Sequence, residues 1–356
     1  MKYSSPEGGL RQRGPDPPQG LELHETLGTA VEKPMSPAPR RSFTSEGGSI
    51  VHLEQLAPAL YGKKHGYIRR LDMKEFERRL EDLDFLDRYH RVEFHGMENI
   101  PATGGALIVG NHGPFGMDAP FVIKHVYEER GRVVRALADR AVFQIPFYRL
   151  YATTMGILEG EPKQAVEMLQ AGSLVSVYPG GLRETVKPPE QKYQVRPFWQ
   201  KALGFVRVAL RAQVPIIPIA CVGVDDIVFQ LRTAEQMKDS FFSRQWQKKM
   251  NNDKYTTPLW MGLGPLPLPV PVKLTYYVGW PIHLGYGPEA ADNEAVLRSL
   301  QGRVVGELEE MLRYGLSQRQ RSRERFLKAL GIGSQRLLRQ AQRLGEQVRE
   351  AARSAA

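Results

Sequence analysis

At 356 residues the chain can bury a full core, enough for one large domain once a polar head and a tail are set aside. Its net charge of +10 suggests nucleic acid until it is located: residues 311–356 hold 11 Lys/Arg against 3 Glu, a net +8, which leaves +2 for the rest. No nucleic-acid partner is therefore expected, and Cys221, the single cysteine, excludes an intrachain disulfide and a thiolate-rich zinc site.

Residues 1–50 are rich in Pro, Gly, Ser and charge with no helical or strand period, so they are expected to be a disordered head. A helix is predicted over Met73 to Asp87, followed by a strand near 92–95. From there the pattern alternates: strand 106–110, a helix from about 119 to 129, strands 133–138 and 156–158, helix 162–170, strand 173–178, helix 197–212 and strand 215–220. The fold class read from this order is α/β, a mostly parallel central sheet flanked by helices. Residues 258–272 are apolar but too rich in Pro and Gly for a helix, a loop either folded over the core or dipped into something greasy. A strand follows at 273–278, and residues 290–356 are helical by composition. Within them Leu337, Ala341, Leu344 and Val348 form an apolar stripe amid arginines, a basic amphipathic tail that would lie on an anionic membrane surface or pack on protein. The domains are then a head at 1–50, a core at 51–288 and a helical basic tail at 289–356. No apolar run reaches the roughly 18 to 20 residues of a spanning helix, since Arg207, Arg211, Pro215 and Pro218 break the best one. A cleaved secretory signal is not expected either. The chain is placed at the cytoplasmic side of a membrane, peripherally.

Two short segments carry the chemistry. The first runs from Asn111 through His112 and Gly113 to Asp118 at the end of the apolar strand 106–110, so His112 sits where a buried strand meets a loop and Asp118 opens the next helix. The second runs Tyr178-Pro179-Gly180-Gly181-Leu182-Arg183-Glu184 after strand 173–178, where Pro-Gly-Gly lets the backbone turn and present amides, Arg183 and Glu184 at the same sheet edge.

In these residues the chain resembles the glycerolipid acyltransferase superfamily, which includes the lysophosphatidic acid acyltransferases and their neutral-lipid relatives. The resemblance covers about residues 90–285 and rests on the order of blocks: Phe94 to Pro101, the Asn-His…Asp block, Met155-Gly156-Ile157, the Pro-Gly-Gly-x-Arg-Glu block, and Val214 to Ile219. It implies transfer of a fatty acyl chain from acyl-CoA, or an acyl-carrier protein, to a hydroxyl of a lipid acceptor, with acyl-CoA as co-substrate and no cofactor or metal. His112 and Asp118 are then the catalytic pair, and Gly113, Gly180, Gly181, Arg183 and Glu184 bind substrate. Five residues separate His112 from Asp118 where the family commonly has four, with two glycines to absorb the extra length. The family's commonest Glu-Gly-Thr-Arg block has Gly180 and Leu182 in place of Glu and Thr, which resembles the branch whose acceptors are neutral, such as diacylglycerol or a long-chain alcohol. The alternative acceptor is phosphorylated, a lysophosphatidate or lysophospholipid; the alternative of another class is a basic scaffold or nucleic-acid-binding protein with an inactive enzyme domain.

Read from the residues themselves, a positioned imidazole takes the acceptor's proton while Asp118 holds the other ring nitrogen. Backbone amides of Gly180, Gly181 or Gly113 would face the developing oxyanion. Arg183 would bind a CoA phosphate, pair with Glu184 or orient the acceptor. No Gly-x-Ser-x-Gly, Walker-type or Gly-x-Gly-x-x-Gly segment is present.

Overall fold

The computed structural model describes residues 71–144, 146–250, 256–264 and 266–329. The expected head at 1–50 and the stripe from Leu337 to Val348 lie outside them. The strands are β1 (Glu93–His95), β2 (Ala106–Gly110), β3 (Val134–Ala138), β4 (Leu158–Glu159), β5 (Leu174–Val177), β6 (Ile216–Val222), β7 (Phe229–Arg232), β8 (Leu259–Met261) and β9 (Thr275–Val278). The helices are α1 (Met73–Asp82), α2 (Asp84–His90), α3 (Asp118–Arg130), α4 (Arg140–Gln144), α5 (Pro146–Thr154), α6 (Pro162–Gln170), α7 (Gly181–Thr185), α8 (Arg196–Trp199), α9 (Gly204–Ala212), α10 (Ala234–Met237), α11 (Phe241–Met250) and α12 (Glu294–Ala329).

Seven strands form one sheet in the order β1-β9-β6-β2-β5-β3-β4, parallel at every pairing except β6 with β9. The mostly parallel α/β architecture is thus present, with β7 and β8 in a separate antiparallel ribbon. β2 lies between β6 and β5, and all five of its residues are buried, as a strand covered on both faces must be. Along it Leu107 and Val109 join a core built with α6, α9 and α12, while Ala106 and Ile108 join one built with α1 and α3.

That alternation explains where a site can form. The chain leaves β2 through α3 toward β3 on one side, and leaves β5 toward β6 on the other, so α3 and α9 cover opposite faces of the sheet. Crossovers of one hand running in opposite directions must do this, and the crevice beyond the carboxyl ends of the two strands stays uncovered.

The structure departs from the sequence reading in several places. The helix expected over Met73 to Asp87 is two, α1 and α2, meeting at Leu83. The strand expected at 156–158 begins only at Leu158, because Gly156 adopts φ +73° and its N–H closes a turn on the Thr153 carbonyl. The helix expected over 197–212 is broken into α8 and α9. The Trp199 carbonyl ends α8 by accepting from Ala202 N (2.8 Å) and from Gln301 Nε2 of α12 (2.5 Å), a tertiary cap that periodicity cannot reveal. The Pro-rich stretch contributes β8 to the ribbon, and the C-terminal helix runs through Glu294–Ala329.

Candidate active site

Three adjacent strand ends converge on one crevice: β2 delivers Asn111 and His112, β5 delivers Tyr178 to Gly181, and β6 delivers Gly223 to Asp226. Asn111 extends the β2–β6 ladder with its side chain, donating to the Cys221 carbonyl (3.1 Å) and accepting from the Cys221 N–H (2.7 Å) in a fully buried setting. The strand end is thereby locked one residue before His112.

His112 Nδ1 lies 3.1 and 2.9 Å from the two carboxylate oxygens of Asp118, whose side chain is 1% exposed. Asp118 Oδ1 also accepts from the Gly113 N–H (3.1 Å), so the carboxylate fastens both the ring and the loop. With Nδ1 committed, Nε2 is the ring nitrogen left for chemistry, on a side chain 18% exposed. Burial disfavours the imidazolium, but the charge and hydrogen bond of Asp118 outweigh it and hold the His112 pKa above the usual histidine value. The Tyr178 ring stacks on the imidazole, centroids 4.6 Å apart and planes 20° apart, and its phenol is driven up by burial and by Asp118.

The backbone of His112 is pinned from the second block. Its N–H donates to Glu184 Oε1 (2.9 Å) and its carbonyl accepts from Lys187 Nζ (3.1 Å). Glu184 is fully buried, and its other oxygen accepts from the Trp199 indole (2.8 Å). Burial pushes the Glu184 pKa up to about 7 against the opposing pull of Lys187 and the two N–H donors. Lys187 is in turn ion-paired with buried Asp225 (2.9 Å), which also accepts from the Tyr193 N–H.

This geometry redistributes the roles expected from sequence. His112 and Asp118 come together as expected. Glu184, expected to bind substrate, is sealed from it and has both oxygens occupied inside the protein. Gly113 and Gly181 do not present their amides to a substrate, since the first is taken by Asp118 and the second by the Tyr178 carbonyl (2.9 Å). Gly180 is required for close approach: a Cβ there would overlap the Glu184 carboxylate and lie 2.7 Å from Glu184 Cβ. Arg183 is exposed at the crevice edge. The extra residue between His112 and Asp118 is taken up by a short 3₁₀ turn over Pro114–Gly116, in which Gly116 has φ +67° and Phe115 φ +60°. Only one of the two glycines absorbs length, and a phenylalanine supplies the second left-handed residue.

Residues 91–222 match the Acyltransferase family, the span that holds His112, Asp118 and Glu184. Over that span the chain is similar to an acyltransferase domain. The chain is also 32% identical over 207 residues to bovine and human proteins named "DGAT1/2-independent enzyme synthesizing storage lipids", covering 58% of this chain and 56% and 57% of those proteins. It is 30% identical over 233 residues to an uncharacterized protein of Mycobacterium tuberculosis, covering 64% of this chain and 62% of that one. The alignments thus span little more than half the length of the curated relatives. A crystal structure of the 1-acyl-sn-glycerophosphate acyltransferase PlsC from Thermotoga maritima superposes with a TM-score of 0.43 at 19% identity, over 68% of this chain and 79% of that one.

Several residues that build this site carry no mark in the sequence. Trp199 reaches Glu184 only because α8 stops where it does. Lys187 reads as an ordinary charge after a short helix. Asp225 had a usable signal, an acidic pair directly after the apolar run of β6 at the same sheet edge as His112. Among the described residues no helix is long and apolar enough to cross a membrane.

Proposed function

We propose that this domain transfers a fatty acyl chain from acyl-CoA to the hydroxyl of a neutral lipid acceptor, diacylglycerol or a long-chain alcohol, with His112 as general base. The observation that carries the reading is the buried Asp118 carboxylate on His112 Nδ1, which orients Nε2 toward the crevice as a proton acceptor. The acceptor hydroxyl gives its proton to Nε2 as its oxygen attacks the thioester carbonyl. The carbon–sulfur bond then breaks, and the departing thiolate takes the proton from the imidazolium. Of the three expected amide donors, Gly180 is the one left for the oxyanion.

The charges favour a neutral acceptor. Of the two cations on and just after α7, Lys187 is buried and committed to Asp225 and the His112 carbonyl, while Arg183 alone is exposed. One exposed cation suits a phosphate of the donor better than two phosphorylated substrates at once. The test is purified protein with labelled acyl-CoA and diacylglycerol, fatty alcohol, glycerol 3-phosphate and lysophosphatidate in parallel, resolved by lipid chromatography. Acylation of the neutral acceptors, lost by about 10²–10⁴-fold in His112→Ala, is expected. Transfer to the phosphorylated acceptors alone would overturn the acceptor assignment, and near-normal transfer by His112→Ala would overturn the base.

A further inference from the structure

The region from Leu259 to Val272 joins apolar exposure to a backbone much of which is bonded within the protein. Residues 255–272 contain no charged side chain. Leu263, Leu266 and Leu268 are each at least half exposed, and so is Phe229, which pairs with Met261 across the β7–β8 ribbon. Water solvates such a surface poorly.

Much of the backbone beneath these side chains is bonded within the protein. The N–H groups of Gly262, Leu263, Val270 and Val272 donate to the carbonyls of Leu266, Leu268, Ile227 and Val270. The carbonyls of Pro269, Pro271 and Val272 accept from the Tyr89 hydroxyl, the Arg91 guanidinium and His90 Nδ1. Prolines at 267, 269 and 271 have no N–H to satisfy. A protein partner would supply donors and acceptors of its own, whereas hydrocarbon supplies none, so backbone that meets lipid must be satisfied internally.

Two further observations bear on the occupant. Trp260 of β8 packs on Phe115, ring centroids 5.7 Å apart, and Phe115 lies in the loop between His112 and Asp118, so the patch is continuous with the mouth of the crevice. Exposed cations stand near both ends: Arg91 against Pro271, and Arg232 in register with Leu259.

We propose that the β7–β8 ribbon and the Pro-rich loop after it are the surface by which this domain seats on the interface of an anionic phospholipid bilayer, the leucines inserting shallowly while Arg91 and Arg232 meet headgroups. This rests on the acyl-transfer reading only for its purpose, which is to bring the crevice to the plane where a lipid acceptor resides. Binding itself is independent of catalysis.

The test uses the full chain with vesicles of phosphatidylcholine and phosphatidylglycerol. The triple variant Leu263→Asp/Leu266→Asp/Leu268→Asp changes exposed side chains and is expected to keep the wild-type melting temperature. It should lose vesicle co-sedimentation by at least about tenfold. Its transfer to a short-chain, water-dispersed acceptor should remain, while transfer to acceptor embedded in vesicles falls in step with binding. A fluorophore on Leu266→Cys should become shielded from a water-soluble quencher when vesicles are added. His112→Ala should still bind vesicles, so a failed acyl-transfer assay and a failed membrane assay are distinguishable. Unchanged co-sedimentation of the triple variant would overturn the proposal. So would a label at position 266 that stays open to quencher, or a wild-type dimer in sedimentation velocity that the triple variant converts to monomer.

Discussion

Gly113→Ala probes how tightly the histidine loop is registered against the end of β6. The backbone at Gly113 is extended, φ −102° and ψ 175°, a conformation any residue adopts, so the substitution introduces volume without backbone strain. The new Cβ would overlap Val224 Cγ2 and lie 2.9 Å from Cγ1 and 3.0 Å from Cβ. Val224 is fully buried in the core shared with α3 and cannot swing into solvent. Overpacking of this kind costs about 1–3 kcal/mol. If the loop gives way instead, it shifts the Gly113 N–H that is bonded to Asp118, the residue holding the imidazole, and a displacement of about 1 Å at a reacting group lowers the rate roughly 100-fold. Val224→Ala deletes the two nearest atoms. Alone it loses two buried methyl groups, about 1.6 kcal/mol plus a cavity contribution. In the double variant the alanine at 113 occupies the space that Val224 vacates, so its destabilisation should fall short of the sum of the singles by about 1–2 kcal/mol. Transfer activity should recover with it. Urea unfolding of the four proteins, with acyl transfer assayed on the same samples, closes the cycle. Additivity within about 0.5 kcal/mol would refute the contact as the cause.

Because Asp118 raises the His112 pKa and only the neutral ring accepts a proton, activity should fall as pH drops through a value above the usual histidine range near 6.5. Asp118→Asn should move that limb of the kcat/KM profile to lower pH and slow transfer by about 10²-fold or more; an unmoved limb would show that Asp118 does not tune the base. Glu184→Gln sets an amide N–H₂ against the His112 or Trp199 N–H, leaving a buried donor without its acceptor at about 1–3 kcal/mol in denaturant unfolding. The folded-state pKa of Glu184, about 7, lies above its value of 4.5 in an open chain. Its protonated form therefore stabilises the fold below pH 4.5, and this contribution declines as pH rises toward 7, a slope that Glu184→Gln should abolish. Asn111→Ala orphans the Cys221 N–H and carbonyl together, each at roughly 1–3 kcal/mol, visible as a lower urea midpoint with unchanged m. Arg183→Ala should leave stability within about 0.5 kcal/mol and raise KM for acyl-CoA while kcat holds, as measured by steady-state kinetics.

The chain's local order was readable because its signals are local. Strand β2 shows as an apolar run since a strand buried on both faces has no polar positions, and α6 shows through Pro162 at its start and its helical period. The pairing of His112 with Asp118 was also legible, as both flank a single strand-to-helix turn. What lay between them was not: the left-handed Phe115 stays in place through its packing on Trp260, 145 residues away in sequence. The broken helix over 197–212 failed for the same reason, because its cap comes from Gln301 on α12.

Residue chemistry and spacing alone determined an α/β chain with a histidine and its neighbouring carboxylate at a strand end, and a second charged block at a neighbouring one. The fold decided what each charge is for. Glu184 and Arg183 are adjacent in sequence, yet one is sealed beneath the end of β2 holding the His112 amide and the other faces solvent. A charge binds substrate or holds scaffold according to how much water is left around it. That depends on which strands, helices and aromatic rings close over it, a property of the packed molecule and not of the residue.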